Sequence, residues 1–355
     1  MSTENQNQTP ASGLRRRAAQ GALLLFAVLL ASLAAEGVAQ FYAFRIAKRG
    51  KLFQPDATLG WRVLPDLNLK RLNADEQPWS IQTDRHGLRG PSEFAPQASR
   101  RLLVLGDSFA FGEGVDLPDR FDSVLAGQLP GYSVVNAGVM GYDTYQAILA
   151  GRGWIPQLRP GDGLILLTSN NDFRDVLMRH HSGRSKPWVA ILPDGMLVGH
   201  PPQIGLKEHL RDKSYLLARI FAAADEQRLQ SYDLNAGLAL YEKILEEYVA
   251  PIARAGVRVI LCFHGNRPPG RNTGEEAISA MIARIRGTGI YEVVDLDPVL
   301  LAGSAPPFQQ DGHWNVAGHR MVAGMLAEAI MRSAPTQPVL PPPQPAPPLP
   351  TVPAS

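Results

Sequence analysis

Four side chains and one glycine in this sequence have the types and local settings needed to cleave an ester. Ser108 lies in a Gly-Asp-Ser-Phe turn (LLVLGDSFAFGEGV), while Asp311 and His313 lie in DGHWN near the other end of the chain. A serine hydroxyl is a poor nucleophile until a base takes its proton, and histidine is the side chain whose pKa suits that task near neutrality. The imidazole must hold the correct tautomer, which a carboxylate on its other nitrogen secures; Asp311 is that carboxylate. The oxyanion formed on attack needs donors already aimed at it. The N–H groups of Ser108 and of Gly141 (NAGVMGY), with the side-chain amide of Asn171 (SNND), fill this role.

These residues are far apart in the chain, so a fold must gather them. Short apolar runs predict strands at Leu102–Leu105, Ser133–Asn136, Leu164–Leu167, Arg258–Cys262 and Glu292–Val294. Helical stretches near Asp119–Gln128, Thr144–Leu158, Leu238–Ala255, Glu275–Ile285 and Val316–Met331 lie between or after them. Five strands alternating with helices imply a five-stranded parallel sheet covered on both faces. Ligands of such sheets bind at the carboxyl ends of the strands. GDSF, NAGVMGY and SNND follow the first three strands, and DGHWN stands between the fifth and the last helix. Phe173–Tyr232 is too long for a loop and reads as an insertion, with a hairpin turning at Pro193-Asp194-Gly195 and a helix near Tyr215–Arg228.

The blocks GDSF, Gly141 of NAGVMGY, Asn171-Asp172 and DGHW resemble those of the SGNH (GDSL-type) hydrolase superfamily, across about Arg101–Met331. The resemblance implies a flavodoxin-like α/β/α sandwich, with Ser108 as nucleophile and first oxyanion donor, Gly141 and Asn171 completing the hole, Asp311 and His313 completing the triad, and neither metal nor organic cofactor. Two blocks depart from the usual pattern. Ser169 stands where G-x-N-D has glycine, and only Gly312 separates Asp311 from His313, where D-x-x-H is usual. D-x-H followed by Trp resembles alginate O-acetyltransferase-like branches.

Other polar residues have less specific readings. Asp172, His264, Asn266 and Trp314 are expected to contact substrate at the active edge; for His264 and Asn266, simple loop satisfaction is an equal alternative. Asp107 is expected to anchor its turn through backbone hydrogen bonds. His319 falls inside a helix that Asn315 can cap, so a structural role is expected for it. Asp295 or Asp297 could orient His313 in place of Asp311. His180-His181 lack a third metal ligand near in sequence and are expected to line the cleft. Cys262 reads as a small buried apolar residue.

Composition sets the outer limits. The 355 residues are 45% hydrophobic and 19% charged with a net charge of +2, an ordinary folded balance that argues against a nucleic-acid surface. The single cysteine excludes an internal disulfide and a cysteine-based metal site. Residues 1–13 read as a polar disordered leader, 14–46 as a transmembrane anchor, 47–98 as a β-rich preface, 99–333 as the hydrolase-like domain and 334–355 as a Pro-rich disordered tail. The uncharged run Ala18–Ala35 follows Arg15-Arg16-Arg17 and spans about 27 Å as a helix. Ser32-Leu33-Ala34 has the form of a signal-peptidase site, but Gly37–Phe44 stays apolar beyond it, which favours an uncleaved anchor. The expected protein is a single-pass serine esterase of the bacterial cytoplasmic membrane, its catalytic domain on the periplasmic or extracellular side. Its expected substrate is an O-acyl, chiefly O-acetyl, ester of envelope carbohydrate. An O-acetyltransferase using the same residues and a non-catalytic carbohydrate-binding scaffold are the alternatives.

Overall fold

A computed structural model describes residues 10–41, 51–228, 232–265, 274–302 and 306–332. The first helix, α1 (Pro10–Phe41), begins inside the expected leader, because residues 10–13 already form its first turn. Within it Arg15–Phe41 is long and apolar enough to cross a membrane, and none of that window is buried. Residues 42–46 of the expected anchor, and all of the expected tail, lie outside the described residues.

The preface forms two antiparallel hairpins. The first joins β1 (Phe53–Asp56) to β2 (Gly60–Val63), and the second joins β3 (Asn68–Leu72) to β4 (Pro78–Gln82). Their buried faces supply Val63, Trp79 and Ile81 to a small core that also takes Phe111 from α2 (Ser108–Phe111), the helix that begins at Ser108. Arg89 makes that contact rigid. Its buried guanidinium donates to the carbonyls of Phe111 (2.9 Å), Gly112 (2.8 Å), Val115 (2.7 Å) and Ser80 (3.1 Å). The Trp79 and Phe111 rings flank it at 5.0 and 5.1 Å. The preface is therefore a brace for the turn after Ser108.

The central sheet holds β5 (Arg100–Leu105), β6 (Tyr132–Asn136), β7 (Gly163–Ser169), β12 (Arg258–His264) and β13 (Glu292–Asp295) in the order β13-β12-β7-β5-β6. All pairs are parallel. The chain runs outward from β5 to β6, then returns to β7 on β5's other side, so the switch point of the sheet falls between β5 and β7. Successive residues of β5 feed opposite cores. Leu103 and Leu105 pack with Ile148 of α4 (Thr144–Ala150), Tyr241 of α8 (Leu234–Ile244) and Ile282 of α10 (Glu275–Gly287). Leu102 and Val104 pack with Leu125 of α3 (Phe121–Gln128) and Leu326 of α12 (Val316–Arg332). The sandwich expected from the sequence is present, with each strand within two residues of its expected ends.

Two helices differ from expectation for local reasons. The stretch Thr144–Leu158 is α-helical only to Ala150 and continues as 3-10 turns at Gly151–Gly153 and Ile155–Gln157, where two glycines and Pro156 weaken the α ladder. The stretch Leu238–Ala255 starts earlier, at Leu234, and widens into a π turn at Leu245–Val249 before α9 (Ala250–Arg254). Pro251 has no N–H to donate and its ring crowds the carbonyl one turn back, which the wider turn relieves.

The insertion begins with the short α5 (Asp172–Asp175), then β8 (His180–His181) and β9 (Arg184–Ser185). The expected hairpin follows as β10 (Trp188–Ile191) and β11 (Leu197–His200), then α6 (Leu206–Lys213) and the expected helix, α7 (Tyr215–Arg228). A buried ion pair between Lys186 and Asp143 fastens it to α4, whose first turn Asp143 also caps through Gln146 N at 2.8 Å. Glu36 of α1 accepts from Ser214 Oγ (2.7 Å), Tyr215 N (2.7 Å) and Leu216 N (3.0 Å), so α1 caps α7.

Candidate active site

Three of the expected blocks meet at the carboxyl edge of the sheet. Asp107 ends the β5 turn and accepts from Phe109 N at 2.9 Å, as expected of an anchoring residue, which leaves Ser108 as the first residue of α2. Across the edge, His313 Nε2 lies 2.8 Å from Ser108 Oγ. Asp311 Oδ2 lies 3.1 Å from His313 Nδ1, yet the ring N–H is not aligned on it as a hydrogen bond, so this is a bent ionic contact. Asp311 Oδ1 also accepts from His313 N at 3.1 Å. Gly312, at φ +92°, folds the carboxylate back onto the next residue, which is how a one-residue spacing still joins acid and imidazole.

Two residues that sequence reading passed over complete this corner. Glu113 Oε2 stands 3.5 Å from His313 Nε2. The amide of Gln309 donates to the carbonyls of Glu113 and Trp314, both at 2.9 Å, and so clamps the His313 turn to the Ser108 turn. Burial alone would lower the His313 pKa; its contact with Asp311 and the charges of Glu113 and Asp107 outweigh that and hold it above the ordinary 6.5. Burial also raises the Glu113 carboxyl, although the charges of His313 and Arg71 oppose it.

Ser169, the departure from the glycine pattern, acts as a bridge. Its Oγ lies 2.7 Å from Asp107 Oδ2, 2.5 Å from Asn171 Oδ1 and 3.2 Å from Asp172 Oδ2. A hydroxyl donates once, so Ser169 gives its proton to one of these three oxygens. Burial pushes both Asp107 and Asp172 up, Asp172 well above the carboxylate range, with the neighbouring Asp107 charge adding to it. Ser169 thereby links Asn171 to the residue before Ser108. Asn171 Nδ2 donates to Asp175 Oδ2 at 3.2 Å, leaving its second amide hydrogen. Asn136, at the end of β6, ties the second block to the first: Nδ2 donates to Ala110 O at 2.8 Å, and Oδ1 accepts from Gly138 N at 2.9 Å.

Gly141 sits under the insertion. A Cβ there would stand 2.9 Å from the His181 imidazole and 3.5 Å from Trp61 Cζ2, so only glycine admits this approach. His181, expected to line the cleft, stacks on Trp61 with ring centroids 6.1 Å apart and has Asp175 Oδ2 3.4 Å from its Nδ1. Among the described residues, the N–H groups of Ser108 and Gly141 donate to no protein acceptor.

Three residues expected to touch substrate are instead inside the protein. Asp172 is buried and accepts from Thr144 Oγ1 (3.0 Å) and Ser169 N (2.8 Å). His264 lies edge-on to Phe109, with centroids 4.0 Å apart, and burial together with the His313 charge pushes its pKa down to about 3, so it stays neutral. Trp314 is fully buried against Phe109 and Phe121. The β-strand continues to His264, turning its side chain into the core, where the sequence reading ended the strand at Cys262. Asn266 lies outside the described residues. His319 is structural as expected: Nδ1 accepts from Phe121 N at 3.2 Å, and burial lowers its pKa to about 3. Asp297 accepts from Gly265 N and Asp295 from Asp297 N, so both carboxylates make turn contacts rather than replacing Asp311 beside His313. Cys262 is buried, which pushes its thiol up.

The GDSL-like Lipase/Acylhydrolase family model matches residues 104–321. Solved structures similar to this chain include a G-D-S-L family lipolytic protein from Veillonella parvula, 13% identical, covering 66% of this chain and 100% of that one, with a TM-score of 0.40. Another from Desulfitobacterium hafniense is 11% identical, covering 65% and 99%, with a TM-score of 0.42. A family two carbohydrate esterase from Clostridium thermocellum, in complex with cellohexaose, is 13% identical over 69% of this chain and 66% of that one, at a TM-score of 0.35. No curated protein matches the chain. With the family model spanning more than half of its length, this chain belongs to the GDSL-like lipase/acylhydrolase family and is an SGNH-type serine ester hydrolase.

Proposed function

We propose that Ser108, His313 and Asp311 are the catalytic triad of an esterase that removes short O-acyl groups, acetyl above all, from envelope or extracellular carbohydrate. The observation that carries this reading is the 2.8 Å contact between His313 Nε2 and Ser108 Oγ. His313 takes the hydroxyl proton as Oγ bonds to the ester carbonyl carbon, and the carbonyl electrons move to oxygen. The N–H groups of Ser108 and Gly141 and the remaining amide hydrogen of Asn171 receive that oxyanion. Collapse breaks the bond to the alcohol oxygen, which leaves with the proton held by His313. Water then repeats the steps on the acyl-enzyme, releasing the acid and restoring Ser108.

A short acyl group is supported by the imidazole of His181, which leaves less than a methyl's space over Gly141. The helix α1 supports single-pass anchoring within residues 14–46; the preface (47–98) and the catalytic domain (99–333, insertion 173–232) are placed outside the cytoplasm as part of this proposal. The carbohydrate alcohol is what the resemblance of the blocks and the anchoring helix suggest.

The full-length protein in detergent should hydrolyse an aryl acetate faster than an aryl octanoate and release acetate from an acetylated polysaccharide. Ser108→Ala should cut the rate by about 10³-fold or more with the thermal transition nearly unchanged. A fluorophosphonate adduct should map to Ser108 by mass spectrometry. An adduct elsewhere, or parental rates in Ser108→Ala, would remove the triad assignment; acetylated sugar exceeding free acetate would replace hydrolysis by transfer.

A further inference from the structure

The two nitrogens of the His313 ring face different carboxylates. Asp311 stands at Nδ1, and Glu113 Oε2 stands 3.5 Å from Nε2, the nitrogen that also lies 2.8 Å from Ser108 Oγ. In acyl transfer by a serine and a histidine, protons pass through the nitrogen that faces the hydroxyl. Glu113 therefore borders the space from which the leaving alcohol departs and into which the next nucleophile comes.

The backbone of Glu113 is fixed while its carboxylate is left open. Gly112, at φ +75°, ends α2 in the left-handed conformation, and Glu113 N donates back to Ser108 O at 3.0 Å. Glu113 O accepts from Gln309 Nε2 at 2.9 Å, and Gly114 O accepts from Asn73 Nδ2 of the preface at 3.1 Å. A Cβ on Gly114 would collide with the Gln309 amide, so the chain next to Glu113 is held on both sides. The carboxylate itself accepts no hydrogen bond among the described residues, and its side chain is 27% exposed. The charges of His313 and Arg71 favour its ionised form, whereas burial and the charges of Asp311 and Asp107 oppose it. Ionised or protonated, it keeps an oxygen able to accept.

An acceptor at this place distinguishes the two steps of the reaction. The ester's alcohol oxygen carries no hydrogen, so on entering it has nothing to give Glu113. Water brings two hydrogens, and His313 needs only one. We propose that Glu113 is a catalytic residue of the second step, accepting a hydrogen bond from the attacking water and so directing the acyl-enzyme to hydrolysis rather than to transfer. The proposal rests on the triad and the acyl-enzyme put forward above. One water proton passes to His313 Nε2 as the water oxygen bonds to the acyl carbon, and the other stays on that oxygen, donating to Glu113. Collapse breaks the bond from carbon to Ser108 Oγ, which takes its proton back from His313. An attacking alcohol gives its single proton to His313 and turns carbon, not hydrogen, toward the carboxylate.

The test uses the full-length protein in detergent, turning over an aryl acetate with methanol present, and reads the ratio of methyl acetate to acetate. Both products come from one acyl-enzyme through one base. The ratio is thus untouched by the fraction folded, by the acylation rate or by a shift in the His313 pKa. Glu113→Leu should raise it about tenfold, as expected for losing one hydrogen bond to a charged acceptor. The same variant should release a burst of phenol as acyl-enzyme accumulates. Glu113→Gln, which keeps an acceptor oxygen, should recover most of the parent ratio, and Glu113→Ala serves where the leucine variant fails to fold. An unchanged or lowered ratio in Glu113→Leu, with acetyl found on Ser108 by mass spectrometry, would overturn the role of Glu113 alone. Turnover without acetyl on Ser108 would overturn the triad, and this role with it.

Discussion

Ser108 and His313 lie 2.8 Å apart, yet their turns are secured in opposite ways. The Ser108 turn is locked from inside. Asp107 is 2% exposed and holds both Phe109 N and Ser169 Oγ, Asn136 holds Ala110 O, and Arg89 holds the carbonyls of Phe111 and Gly112. The histidine turn is largely at the surface. The Asp311 side chain is 41% exposed, and the loop closes through Gln309 N to His313 O at 2.7 Å, Gly312 N to Gln309 O at 3.0 Å and the Gln309 side-chain clamp. The contrast matches the two tasks. A nucleophile must be placed against a fixed oxyanion hole, whereas a base must exchange its proton with leaving group and water in turn.

Predictions that would break or sharpen this contrast follow from it. Arg89→Met should destabilise the protein most, by about 3 kcal/mol, because several buried carbonyls lose their donor at once. Denaturant melts should show the fall, and a change under about 1 kcal/mol would mean that the nucleophile turn holds without its brace. Asp311→Asn should lower kcat by about 10²-fold with little change in the thermal transition, a smaller loss than for Ser108→Ala because the acid is exposed and its contact bent. An unchanged kcat would assign the orienting role elsewhere.

The smallest effect concerns pH. Activity requires neutral His313, so the rate should fall as pH drops through a midpoint above the ordinary 6.5. The Glu113 carboxylate favours the imidazolium, and Glu113→Gln should therefore move that midpoint to lower pH. An upward shift, or none, in the kcat/KM profile would show that Glu113 does not govern the base.

The five strands and the four polar turns were legible because each depends on residues close in sequence. A short β-branched or leucine run between turns reads as a buried strand, and GDSF or DGHW can be recognised without neighbours. Ser169 and Gly312 looked like departures only while their partners were unknown. In space, one bridges Asp107 to Asn171, and the other bends Asp311 onto His313.

Burial and long-range pairing were not legible, and they settle which polar groups meet solvent. Asp172, His264 and Trp314 carry the chemistry of substrate contacts, but the sheet and α12 enclose them. Glu113, Gln309 and Arg89 gave no local signal, since their meaning lies in partners far along the chain, as with the 196 residues between Gln309 and Glu113. The chain's order of residues was enough to specify the sheet and to single out Ser108 and His313, which the fold brings within 2.8 Å. Which charges stay buried, what the preface braces and what the insertion covers emerged only from packing, because desolvation and hydrogen bonding act between groups that folding, not adjacency, brings together.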